Sequence, residues 1–168
     1  RAGRLMDGRW RARSLQSRQL LAASLGLVAF DALAGYALDR AFLETAESNL
    51  RTRLESYALE YTRRIEFLRD GSLYVPDTPP EPRFERPGSG LYAEVILPNG
   101  HWDSPSAQGP ELPMGAMLAP AVQRFEGPLR ITRSNGEAGE IYRYGRGLVW
   151  AENGPQAEFP YTVYISED

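Results

Sequence analysis

The chain has 168 residues, 42 % hydrophobic and 24 % charged, with a formal net charge of −3 and no cysteine. Disulfides, thiol nucleophiles and cysteine-based metal sites are excluded, and beyond an N-terminal tail and apolar run there is enough chain for one small domain with one core. All 19 basic residues are arginine and they are unevenly placed: six (Arg1, Arg4, Arg9, Arg11, Arg13, Arg18) precede residue 20 against one acid, Asp7, whereas from Glu44 onward 12 arginines face 19 acids. An acidic C-terminal region argues against nucleic acid as a partner and leaves cations or basic peptides as candidate ligands.

Residues 1–19 read as a basic stub without apolar periodicity. Leu20 to Leu38, LLAASLGLVAFDALAGYAL, is apolar or small except for Ser24 and Asp31, and about 20 such residues cross the hydrocarbon core of a bilayer as a helix. The arginines in front of it keep the N-terminus in the cytoplasm and put the rest outside, which in a bacterium is the periplasm. The expected organisation is a cytoplasmic stub (1–19), an inner-membrane helix (20–42) and a periplasmic domain (43–168). A cleavable signal peptide cut near Ala32-Leu33-Ala34 is the competing reading, giving a secreted or anchored binding protein; the anchor is favoured because the helical pattern runs on past that site. Asp31, a carboxylate inside the apolar run, costs about 2.5 to 3.5 kcal/mol at mid-membrane. It lies near the outer interface or in the polar c-region of a signal peptide, or it holds a polar spot in a four-helix membrane bundle and takes part in signal transmission.

Beyond the anchor, Leu43, Ala46, Leu50, Leu54, Tyr57, Tyr61, Ile65 and Leu68 recur at steps of three and four, a helical stripe, and Asp70-Gly71 supplies a stop. The part from Tyr57 to Leu68 is expected to pack on a sheet, while Leu43, Ala46 and Leu50 face a second copy in a homodimer. Residues 76–90, rich in Pro and Gly, form a connection that sustains neither a helix nor a central strand. Strands are predicted at Leu91–Leu97, His101–Ser104, Leu129–Arg133, Glu140–Tyr144, Leu148–Ala151 and Tyr161–Ile165. Turns at Pro98-Asn99-Gly100, Asn135-Gly136 and Asn153-Gly154 join them into an antiparallel sheet of about five strands. The loop from Pro105 to Pro120 is expected to hold one helical turn around Met114–Leu118. The fold class is α+β, with Tyr142, Tyr144, Trp150, Phe159, Tyr161 and Tyr164 as core.

His101, Asp103, Ser104 and Ser106 contain the residue types of a hydrolytic triad, but one short strand and its exit do not make triad members converge. No catalytic or cofactor-binding residue is assigned, and no phosphate-binding loop is present. Glu137, Glu140, Glu152 and Glu158 are the candidate ligands for a weakly held divalent cation.

The basic stub and anchor, Gly90-Leu91-Tyr92-Ala93-Glu94-Val95 followed by Asn99-Gly100, the segment Trp102-x-Ser104-Pro105-Ser106-Ala107, and the strand Tyr161–Ile165 ending in Ser166-Glu167-Asp168 together resemble the N-terminal portion of PhoQ-like bacterial sensor histidine kinases. The resemblance implies a PAS-like (PDC-type) periplasmic sensor for an extracytoplasmic ligand. In the parent it implies a second membrane helix soon after Asp168, a histidine-kinase module using ATP and Mg²⁺, and a response regulator as partner. Trp102, Ser104, Pro105 and Ser106 are its most distinctive positions. Sensors of this family that detect divalent cations carry a denser acidic patch than this chain does.

Overall fold

The computed structural model describes residues 15–68, 71–151 and 158–168. Helix α1, Leu15–Arg64, runs through both of the compact units into which the chain divides, Arg1–Ala46 and Glu47–Asp168. In the first unit every residue from Arg18 to Ala46 is exposed, including Leu25, Phe30, Leu33 and Leu38. A helix apolar on all sides is stable where its surroundings are themselves apolar. By length and composition α1 is long and apolar enough to cross a membrane, a test that a signal sequence also passes.

In the second unit the α1 stripe is narrower than the sequence suggests. Leu54, Ala58, Tyr61 and Ile65 are at most 3 % exposed, at steps of four, three and four, while Leu50 and Tyr57 are partly buried beside them. Leu68 does not belong to this stripe. The helix ends at Arg64, and Glu66–Phe67 (β1) pairs antiparallel with Leu73–Tyr74 (β2), leaving Leu68 exposed. The Leu68 N–H donates to the Ser72 carbonyl at 2.9 Å, and Gly71, at φ 79°, provides the turn. What the hairpin places in the core is Phe67, stacked on Phe159 at 5.6 Å and packed against Tyr161 at 5.1 Å. Leu50, expected to face a second copy, is partly buried against the core of its own unit.

The connection after β2 contains a 3₁₀ turn, Pro82–Glu85, with proline at its start where no N–H is required. Its purpose is Phe84, fully buried, with Tyr57 and Tyr61 meeting it edge-on at 5.6 and 5.0 Å.

Five antiparallel strands form the main sheet: β3 (Leu91–Leu97), β4 (Gly100–Asp103), β5 (Gln123–Thr132), β6 (Ala138–Ala151) and β7 (Glu158–Glu167). Their spatial order is β4-β3-β7-β6-β5. This is an α+β fold. The β3–β4 hairpin turns at Pro98-Asn99, with Leu97 opposite Gly100. The β5–β6 hairpin turns at Asn135-Gly136, with Gly136 at φ 83°. Asn153-Gly154 lies outside the described residues.

Three sequence expectations require correction. β5 begins at Gln123, six residues before the expected Leu129, because the strand passes Pro128 through a register shift between Glu126 and Leu129; proline has no N–H for the ladder, and a bulge absorbs it. The runs Glu140–Tyr144 and Leu148–Ala151 are one strand, β6. Gly145 and Gly147 look like breaks, yet a Cβ at Gly145 would enter the Tyr164 ring and one at Gly147 would strike the Ala119 carbonyl. They are smooth patches on which other parts of the chain lie. Finally, Met114–Leu118 forms no helical turn; the only 3₁₀ turn in that loop is Pro105–Ala107. The backbone groups of 115–118 bond to sheet side chains instead, as described below.

Alternation gives the sheet two different faces. Leu91, Ala93, Val95, Tyr144, Tyr161, Val163 and Ile165 share one core with α1. The opposite face carries Tyr92, Glu94, Ile96, Arg143, Thr162 and Tyr164, and the loop from Pro105 to Val122 covers it.

Candidate functional site: a cavity under the 105–122 loop

Strand pairing brings charge together on the loop-covered face. Glu94 stands opposite Asp103, and Ile96 opposite His101; directly opposed residues of an antiparallel pair point to the same side. Glu94, His101 and Asp103, with Tyr92, Leu112 and Met114, line a cavity of about 180 Å³. At its exposed rim the His101 Nε2 lies 3.3 Å from Asp103 Oδ2.

Glu94 is the charged residue within an otherwise apolar strand, LYAEVIL. Its carboxylate accepts the Gly115 N–H at 3.0 Å and 3.4 Å, and among the described residues no guanidinium forms an ion pair with it. Burial pushes its pKa above the usual carboxylate range; the Gly115 N–H opposes this and the neighbouring Asp103 charge adds to it. Arg143, whose charge opposes this shift, is buried and occupied. Its guanidinium donates to Glu126 at 2.9 Å and to the Pro113 carbonyl at 2.7 Å, and it lies 4.7 Å from the centre of the Tyr164 ring.

The loop is fastened from beneath. Tyr164 Oη donates to the Ala116 carbonyl at 2.6 Å, and Thr162 Oγ1 accepts the Leu118 N–H at 2.8 Å. The Tyr164 ring lies between two glycines, Gly145 of β6 and Gly115 of the loop, each too close to it to carry a Cβ. Pro113, Gly115, Ala116 and Leu118 thus each spend a backbone polar group on a side chain of the sheet, so the segment satisfies its hydrogen bonding without forming helix.

The Trp102-x-Ser104-Pro105-Ser106 segment latches the end of β4. The Ser104 N–H donates to the Ala93 carbonyl at 2.8 Å, and Ser104 Oγ accepts the Ala93 N–H at 3.0 Å. Ser104 Oγ is 2.7 Å from Ser106 Oγ, and both serines are buried. Pro105 starts the 3₁₀ turn, and Trp102, on the α1 side, packs against Tyr61 at 6.0 Å. His101 therefore pairs with Asp103 on one side of the strand, while both hydroxyls are engaged in the latch.

The candidate metal ligands are dispersed. Glu137 lies in the β5–β6 turn, where Asn135 Nδ2 donates to it at 2.8 Å, and Glu140 lies nearby on β6. Glu158 faces Ala151 at the far end of β6, 11 residues from Glu140, or about 36 Å at roughly 3.3 Å per residue. Glu152 lies outside the described residues. Among the described residues no group of three His, Asp or Glu side chains is arranged to hold a metal ion. Asp31, Leu43 and Ala46 are exposed on the first unit's helix.

Sequence reasoning passed over Glu94, although one acid within seven strand residues was a visible signal. It also passed over Glu167. This carboxylate, on the α1 side of β7, accepts Arg53 Nη2 of α1 at 2.6 Å and Arg83 Nη1 at 3.0 Å, with its side chain only 10 % exposed. Beside it, Asp168 accepts the Arg133 Nε–H at 2.6 Å. No family model, curated protein or solved structure matches the chain.

Proposed function

We propose that the chain is the signal-input region of a membrane-bound, dimeric two-component sensor histidine kinase, with α1 crossing the inner membrane and the Glu47–Asp168 unit acting as a PAS-like periplasmic sensor. The observation that carries this reading is the position of β7. Thr162 and Tyr164 hold the loop over the cavity, while Glu167, on the other face of the same strand, grips Arg53 of α1. A ligand that moves the loop acts on the strand that holds the helix. Two further features support the reading. Counted within the sheet, the strand order is 2-1-5-4-3, the order of a PAS-like sheet, and the first half of α1 has the length and apolarity of an anchor. Leu50 is partly buried against the core of its own unit, and contact between copies is assigned to Leu43, Ala46 and the exposed part of Leu50.

Contiguity alone does not establish coupling, so the test is functional. The chain is joined after Asp168 to the second membrane helix and cytoplasmic kinase of a PhoQ-like protein, and autophosphorylation is measured in membranes. Glu167→Gln and Arg53→Ala are expected to shift output by severalfold in the same direction. Output unmoved by both, or recovery of a mature protein cut after Ala34, overturns the sensor reading and favours a secreted binding protein.

A further inference from the structure

We propose that the cavity beneath the 105–122 loop binds a small protonated amine, its ammonium held by Glu94 and Asp103 and its carbon skeleton against Tyr92, Leu112 and Met114. The proposal rests on the sensor reading for its biological meaning but on the cavity alone for its chemistry.

The sign of the charge comes first. The carboxylates and the one imidazole lining the cavity are Glu94, Asp103 and His101, and Arg143, the arginine whose charge acts on Glu94, is already committed to Glu126, Pro113 and the Tyr164 ring. An anion entering would meet two carboxylates, and the one imidazole in the lining, His101, is already paired with Asp103 at 3.3 Å. A cation would meet a half-buried carboxylate whose hydrogen-bond donor among the described residues is the Gly115 N–H. A carboxylate has about four acceptor positions, and a charge taken out of water without a partner is costly. An ammonium supplies both the missing charge and the missing donors.

Shape separates an ammonium from a metal ion. Divalent cations require six or more oxygens at about 2.1 to 2.5 Å, and no such convergence of side chains exists among the described residues. An ammonium needs two or three acceptors at hydrogen-bond distance, which the Glu94–Asp103 cross-strand pair can furnish. The volume, about 180 Å³, is small beside the roughly 300 to 1,000 Å³ of sites for drug-sized ligands, so the ligand is a short-chain amine rather than a peptide. Apolar walls beside a charged end select for carbon next to the nitrogen. Binding also has a means of being felt: the carboxylate that would receive the ammonium is the one that holds the Gly115 N–H of the covering loop.

The test uses the full chain in detergent micelles, with 2-aminoethanol, ethylene glycol, glycolate and Mg²⁺ titrated separately and backbone amide shifts followed by NMR. Saturable shifts at Glu94, His101 and Gly115 are expected with 2-aminoethanol alone. Glu94→Gln should weaken its binding at least tenfold. Asp103→Asn, at the exposed rim where the fold is not threatened, should weaken it about threefold. Absence of saturable shifts with 2-aminoethanol, equal binding of ethylene glycol or glycolate, unchanged affinity in both variants, or site-specific shifts from Mg²⁺ alone would each overturn the proposal. The kinase fusion separates the two readings. Output that responds to Glu167→Gln while 2-aminoethanol fails to bind removes the amine and keeps the sensor; binding with an inert fusion keeps the amine site and removes the sensor.

Discussion

Arg53 and Glu167, 114 residues apart in sequence, are joined at 2.6 Å, and Arg83 holds the other oxygen of the same carboxylate at 3.0 Å. One acid thus ties α1, the 3₁₀ connection and the last strand together. The two arginines are about half and one-third exposed, whereas the carboxylate is not, so the loss on truncation is asymmetric. Glu167→Gln should destabilise the full chain by about 1 to 2 kcal/mol, as a largely buried charge-assisted acceptor is lost. Arg53→Ala should cost about 0.5 to 1 kcal/mol, because Arg83 remains and water screens the pair. Urea unfolding in micelles checks both, and a double-mutant cycle should give a coupling of at least about 0.5 kcal/mol.

Glu94 and Asp168 should bend the pH dependence of stability in opposite directions. Burial raises the folded-state pKa of Glu94, so the folded protein binds the proton more tightly and stability falls as pH rises from the unfolded value through the folded one. Asp168 is lowered by its hydrogen bond from Arg133; its contribution is present above the unfolded value and lost as pH falls through the folded one. Glu94→Gln should therefore remove a decline above about pH 4.3, and Asp168→Asn a loss below about pH 3.9. Unfolding midpoints measured across this range in both variants check the signs; a Glu94→Gln protein with an unchanged slope above pH 4.3 would contradict the desolvated environment described.

Gly145→Ala drives a methyl into the Tyr164 ring, and Gly115→Ala does so from the other side. Each should cost about 1 to 3 kcal/mol through overpacking. Gly100, with nothing within 4 Å of a built Cβ, is the control, and Gly100→Ala should change stability by less than about 0.5 kcal/mol. Near-ultraviolet tyrosine signals should change in the first two proteins and not in the third.

Asp31→Leu should leave membrane insertion intact or improved, since a carboxylate at mid-bilayer costs about 2.5 to 3.5 kcal/mol. In the kinase fusion it should lock the output. A variant that still responds to stimulus rules out a switching role and leaves Asp31 as an interfacial residue.

The sequence was most legible where one physical signal dominated. LYAEVIL has the composition of a central strand and Pro98-Asn99 that of a tight turn, and β3 with its hairpin lies where they indicate. The helical stripe from Leu54 to Ile65 was clear for the same reason, whereas Leu68 was misplaced because a two-residue strand at Glu66–Phe67 has too few residues for a period to register. Phe84 was hidden in a Pro-rich connection, since burial there depends on Tyr57 and Tyr61, residues of a distant element. In the sequence β6 reads as two strands, Glu140–Tyr144 and Leu148–Ala151, whereas the strand is continuous and the smallness of Gly145 and Gly147 accommodates Tyr164 and Ala119. The cavity was least legible: Glu94, Asp103 and His101 meet only through strand register, and Arg143 is withdrawn by partners from three other segments.

The covering loop has one more consequence. Its backbone is anchored to Arg143, Glu94, Tyr164 and Thr162, while the side chains of Met114, Ala116, Met117 and Ala119 are exposed. The main chain is therefore held independently of what those positions carry. Replacing Met114, the one of them that lines the cavity, should redraw its rim while leaving the strand ladder untouched, which makes the choice of ligand a property that can drift, or be engineered, separately from the fold.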